Sequence, residues 1–139
     1  MNLHVFFYGL FMDEVILVKN GIKATNPRKG YLNGYALKIG NRASLIPSKN
    51  EKAYGIVMTI DADKIQDLYA EASVSDYIPE EVTIILKGNE TIKAMCYNLP
   101  PTSLTGTNTA YAQSLYALAK QLDFPEDYLT EIKQAATQD

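Results

Sequence analysis

The 139-residue chain is 47% hydrophobic, enough for one well-formed core but too short for two of ordinary size, so a single domain is expected over residues 1–139. Thirteen basic against sixteen acidic residues give a net charge of −3 and a pI near 5.1. That balance offers no attraction to a nucleic-acid backbone or an anionic membrane, and neither is expected as a partner. One cysteine, Cys96, rules out an internal disulfide. With no basic-then-apolar leader and no run near the roughly 18 apolar residues of a membrane span, a reducing, cytoplasmic location is expected.

In chain order, Leu3 to Tyr8 is a compact β-prone run, and Met12 to Lys19 suits about two helical turns before Asn20-Gly21 ends them. From Lys29 to Ile60 the pattern is β throughout, in short apolar runs (GYLNGYALKIG, RASLIPS, AYGIVMTI) punctuated by Gly, Asn, Pro and Lys. Three or four antiparallel strands are expected there. The period changes in DADKIQDLYAEA, where Ile65, Leu68 and Tyr69 fall at i, i+3, i+4 and Asp61 is placed to cap the first turn. EVTIILKGNETIKAMCYNL reads as a hairpin turning on Gly88-Asn89. After the connector PPTSLTGTNT the chain becomes helical. Tyr111, Leu115, Leu118 and Leu122 share one face that must dock on the sheet, and DFPEDY carries a capping-box signature, Asp123 with Glu126, for a second helix.

The sum is an α+β fold: a mixed, mostly antiparallel sheet of six or seven short strands, expected to close into a small β-barrel over about residues 1–99. One central helix crosses it, and two C-terminal helices make an extension over about 107–137.

Much chemistry is excluded. His4 is the sole histidine, in a strand, without a second histidine or a nearby cysteine, so no metal site is expected. It would also have to serve alone in any Ser-His or Cys-His pair. Cys96, between Met95 and Tyr97, suits a core filler. A lone Tyr8-Gly9 lacks the further glycines and the lysine of a phosphate loop, and no cofactor is expected. Carboxylates, tyrosines and backbone remain.

The first strand ends oddly. VFFYGLFMD passes from an apolar strand through Tyr8-Gly9 into Leu10-Phe11-Met12, where an ordinary turn would be polar. A glycine there would let the chain turn sharply and aim several N–H groups to one side, an anion cradle whose apolar lining sheds water. The same side chains would also serve as a plug at the barrel end.

The segments FFYGLFMD, GYLNGYALKIG, AYGIVMTI, LYAEASVSDYIPEEVTI and AMCY, in that order over about residues 3–98, resemble the γ-glutamylcyclotransferase-like family, whose opening motif reads Tyr-Gly-Ser-Leu or a close relative. The resemblance implies a small mixed barrel and a catalytic glutamate after a helix, six or seven residues before a tyrosine that opens the next strand. Glu71 stands six before Tyr77. It further implies that the substrate's α-amine attacks its own γ-carbonyl, giving 5-oxoproline and releasing the amine of the γ-amide, with Glu71 moving the proton. The backbone of Tyr8, Gly9, Leu10 and Phe11 would hold the substrate carboxylate, and Tyr77 and Tyr97 would line the pocket. The chain departs from the family pattern at Leu10 (usually Ser), at Ala72 (usually Gly) and in lacking an arginine after Tyr77.

For the residues taken alone, Glu71 also fits a solvated helix end, Tyr77 and Tyr97 fit strand packing, and Arg42 fits a surface turn or an anion partner. The expected partner is a small molecule bearing a γ-glutamyl group. The alternative is a non-catalytic member that binds a small carboxylated ligand or a protein in the same pocket. The sequence sets no oligomeric state.

Overall fold

The computed structural model describes residues 1–71 and 74–137. Among them five strands close a barrel: β1 (Asn2–Phe7), β2 (Thr25–Ile39), β3 (Ala43–Asp61), β4 (Ile78–Leu86) and β5 (Thr91–Asn98), in the spatial order β1-β3-β2-β4-β5. Four pairings are antiparallel, and the fifth, β1 with β5 at Val5 and Met95, is parallel and seals the barrel. The sheet is therefore mixed and mostly antiparallel, as expected, but six or seven strands is too many.

The excess arises between Lys29 and Ile60, where three or four strands were expected and two long ones run. β2 has 15 residues and β3 has 19. Gly34, at φ +81°, sits at a register shift between Asn33 and Tyr35, where the ladder jumps from Asn33–Lys52 to Tyr35–Pro47. A bulge of this kind bends and twists a strand without ending it. Glycine, proline and asparagine that read as turn signals here curl two continuous strands around the barrel.

The helices follow the sequence more closely. After a 3₁₀ turn over Leu10–Met12, α1 (Glu14–Lys19) is capped by the Asp13 carboxylate, which accepts from the Val15 N–H at 2.9 Å. Its end at Asn20 is followed by Gly21 at φ +75°. α2 (Ala62–Ala70) starts on Asp61, whose side chain accepts from the Asp63 N–H, and it buries Ile65 and Leu68. The β4–β5 hairpin turns on Gly88 and Asn89, at φ +82° and +65°.

α3 (Thr109–Gln121) and α4 (Glu126–Thr137) close the chain. The capping box does not form. Asp123 has φ +61°, its N–H donates to the Lys120 carbonyl, and the Phe124 N–H donates to that of Ala119. That pair of bonds is a Schellman arrangement, so Asp123 ends α3 instead of starting α4. Its stop lets Phe124 fold back, and with Tyr128 it packs on Tyr54 of β3, at centroid distances of 5.9 and 5.0 Å. α3 lies against α4 and the 3₁₀ turn after β1, burying Ala112, Leu115 and Ala119. No helix among the described residues is long and apolar enough to cross a membrane.

Candidate functional site

A cavity of about 350 Å³ opens where β1 runs into the 3₁₀ turn. Tyr8, Gly9, Leu10, Phe11, Tyr77 and Tyr97 all line it. The structure thus gathers every pocket residue expected from the sequence, from three separate parts of the chain. It adds Tyr69 of α2, Val74, Arg42 and Tyr111 of α3, which sequence reasoning either missed or left at the surface.

The walls are an aromatic chain. Tyr69 stacks on Tyr97 with centroids 3.9 Å apart and planes 5° from parallel. Tyr77 lies 6.0 Å from Tyr69, and Phe11 meets Tyr69 edge-on at 6.2 Å and Phe7 at 5.9 Å. Offset and edge-on contacts of this sort fix ring orientations as well as burying area.

Hydrogen bonds hold the phenols in place. Tyr8 donates to the Tyr97 carbonyl at 2.7 Å, and Tyr77 donates to the Ala43 carbonyl at 2.6 Å. Behind them two buried polar side chains tie the start of β3 to the end of β5. The Leu99 N–H donates to the Ser44 hydroxyl at 2.9 Å, and the Leu45 N–H to the Asn98 carbonyl oxygen at 3.2 Å. Burial pushes the phenols of Tyr8, Tyr69, Tyr97 and Tyr111 above their ordinary range, and that of Tyr77 too, though the Arg42 guanidinium partly opposes it. All five therefore stay neutral near neutrality, since loss of the proton would place an anion in an apolar site.

Gly9 is needed for a reason other than the one expected. Its φ of −113° is open to any L-residue, so no left-handed turn requires glycine. The demand comes from α3: a Cβ at position 9 would lie 2.4 Å from the Tyr111 hydroxyl. That hydroxyl accepts a hydrogen bond from the Leu10 N–H at 3.4 Å. The N–H groups of Gly9 and Phe11 have no partner among the described residues. Of the N–H groups expected to form a cradle, that of Leu10 is thus engaged from the C-terminal extension.

Arg42 is the sole charged side chain among the described residues that line the cavity. It pairs with Asp76 at 3.2 Å and lies over the Tyr77 ring, 5.8 Å from its centroid. Glu71 closes α2 as its C-cap, its N–H donating to the Leu68 carbonyl and its carbonyl accepting from the Val74 N–H. Its side chain is exposed and is not part of the cavity lining, although Tyr69 and Val74, on either side of it in the chain, both are. Ala72 lies outside the described residues. Among the described residues no three His, Cys, Asp or Glu side chains gather as a metal site, and His4 points outward beside Thr59 at 3.2 Å.

Residues 5–118 match the family model "Gamma-glutamyl cyclotransferase, AIG2-like". The chain belongs to this family. Solved structures share its fold at low identity. One, described as a γ-glutamyl cyclotransferase, superposes with a TM-score of 0.75 at 19% identity, covering 96% of this chain and 87% of its own. The Homo sapiens protein loc79017 gives 0.77 at 18% identity, covering 95% and 86%. YkqA from Bacillus subtilis gives 0.79 at 18%, with 99% of this chain matching 55% of the longer protein. No curated protein matches the sequence.

Proposed function

We propose that the protein is a γ-glutamylcyclotransferase, converting a γ-glutamyl amide or amine to 5-oxoproline with release of the amine. The observation that carries this reading is that the turn after β1 and the residues on both sides of Glu71 line one cavity, in a chain of this family. The α-amine attacks the γ-carbon, a new C–N bond closes the five-membered ring, and the bond to the leaving nitrogen breaks. One proton passes from the attacking to the leaving nitrogen, and no water or cofactor is consumed.

The site's contributions follow from its composition. The N–H groups of Gly9 and Phe11 hold the substrate carboxylate, with Arg42 as a cation on the same cavity. An aromatic enclosure disfavours the ammonium form, so the α-amine more readily loses the proton that blocks its attack. Tyr77 and Tyr97 fix the ligand by shape, which keeps amine and carbonyl in reach. Glu71 takes the proton and returns it to the leaving nitrogen, reaching over the rim from the end of α2.

A second reading has its own support: Glu71 is exposed and the described residues of the lining hold no carboxylate, as expected of a pocket that binds a carboxylated ligand without turning it over. Release of 5-oxoproline from a panel of γ-glutamyl compounds separates the two. With a competent substrate, Glu71→Gln should lower turnover by roughly 10²–10⁴-fold while the substrate still binds. Near-normal turnover in that variant removes Glu71 from the mechanism, and no turnover by the parent protein favours the binding reading.

A further inference from the structure

The cavity's lining says more than its membership of a family does. Its polar equipment is sparse: the backbone of Gly9 to Phe11, the Tyr111 hydroxyl held on Leu10, Arg42 over Tyr77, and the hydroxyl tips of Tyr69 and Tyr97. Beyond these the wall is rings and aliphatic side chains, Phe7, Phe11, Tyr69, Tyr97, Ile16 and Val74, with no lysine, carboxylate or amide among the described residues lining it. The Tyr8 and Tyr77 hydroxyls, which would otherwise offer donors, are spent on the carbonyls of Tyr97 and Ala43.

A volume of about 350 Å³ falls within the range of pockets that take a drug-sized molecule, so a bound glutamyl group leaves space for the group attached to its γ-carbon. What enters that space gives up its hydration. Among the described residues only the hydroxyl tips of Tyr69 and Tyr97 would meet a charged or strongly polar group there, too few to replace its water, whereas an aromatic or aliphatic group would meet ring faces and edges already fixed by their contacts with one another.

We propose that the cavity selects γ-glutamyl derivatives of apolar amines, aromatic ones above all, over those of amines carrying a further charge or hydroxyl. This rests on the cyclotransferase reading for the chemistry, and on the lining alone for the preference. The leaving amine departs by the same bond exchange as above, so only its side group distinguishes the substrates. Phe11 is the specificity-determining residue most open to test, because it is half-buried at the turn and its ring closes the aromatic chain between Phe7 and Tyr69.

The test compares the γ-glutamyl amides of phenethylamine, ethanolamine and 1,3-diaminopropane, reading 5-oxoproline release, and measures by calorimetry the binding of the corresponding N-acetyl-γ-glutamyl amides, which cannot cyclise. The expected result is a kcat/KM at least tenfold higher for the phenethylamide than for either polar amide, the same order in binding, and a narrowing of the gap in Phe11→Ala with its fold checked by circular dichroism. Equal or better release from the polar amides overturns the proposed selectivity and leaves the cyclotransferase reading intact. Tighter binding of the phenethyl compound with no release from any amide overturns the cyclotransferase reading and supports the selectivity. Absence of both release and binding overturns the two together.

Discussion

Replacing Gly9 with alanine tests whether α3 is wedged against the candidate cradle. The added Cβ would lie 2.4 Å from the Tyr111 hydroxyl but 3.8 Å from the ring carbon that bears it, an ordinary contact distance. All the conflict is therefore with one oxygen. The helix itself is anchored by Ala112, Leu115 and Ala119, all at most 1% exposed, so relief comes from tilting the half-buried Tyr111 side chain at the expense of its bond to Leu10. Overpacking of this kind costs about 1–3 kcal/mol. Loss of the Leu10 N–H bond adds about 0.5–1.5 kcal/mol, and the lower entropy of an unfolded chain with alanine for glycine returns about 0.4–1 kcal/mol. The net expectation is a destabilisation of about 0.5–4 kcal/mol in urea unfolding, centred near about 2 kcal/mol. Tyr111→Phe alone removes the hydroxyl and should cost about 1 kcal/mol or less. In that background Gly9→Ala should become nearly neutral, giving a coupling of about 1–3 kcal/mol, well above the roughly 0.3–0.5 kcal/mol scatter of independent sites. If Gly9→Ala costs the same with and without the hydroxyl, the close approach is not what requires glycine and the account of the cradle fails.

Other consequences are as direct. Leu115 is fully buried on the inner face of α3, so Leu115→Asp should cost at least about 4 kcal/mol through lost packing and a desolvated charge, and a urea midpoint close to that of the parent would mean the helices are a detachable tail. Burial pushes the Cys96 thiol up from an ordinary 9.0 to about 12, so the native state favours its neutral form. The associated stability is complete below about pH 9 and lost as pH rises toward 12. By a pH of about 10.5 that loss reaches about 2 kcal/mol, which Cys96→Ala should remove from the alkaline limb of a stability profile. The same burial should keep Cys96 inert to thiol reagents at pH 8 until the protein is unfolded, and rapid labelling of the native protein would contradict it. Tyr8→Phe leaves the Tyr97 carbonyl without its 2.7 Å donor and should cost about 1–3 kcal/mol in the same unfolding assay, while an unchanged midpoint would mean that water replaces the phenol.

What the sequence determined by itself was local. Apolar spacing placed α2 with its Asp61 cap, Gly88-Asn89 placed the last hairpin, and the greasy run through Tyr8-Gly9 marked the turn that lines the cavity. Each signal is written within a few residues, because helix period, caps and left-handed turns depend on neighbours along the chain. Strand number was not legible in this way. Gly34 and Pro47 look the same in sequence whether they end a strand or bend one, and the difference lies in the partner strand's register. The Asp123 to Glu126 spacing likewise fits a start for α4, but packing of Phe124 on Tyr54 selects a stop for α3. The parallel closure of β1 on β5, the approach of Tyr111 to Gly9 across 101 residues of chain from Leu10, and the placing of Arg42 over Tyr77 are long-range events. Tertiary structure alone decided them, because each depends on which surfaces the closed barrel brings together, and no residue's own neighbours specify that.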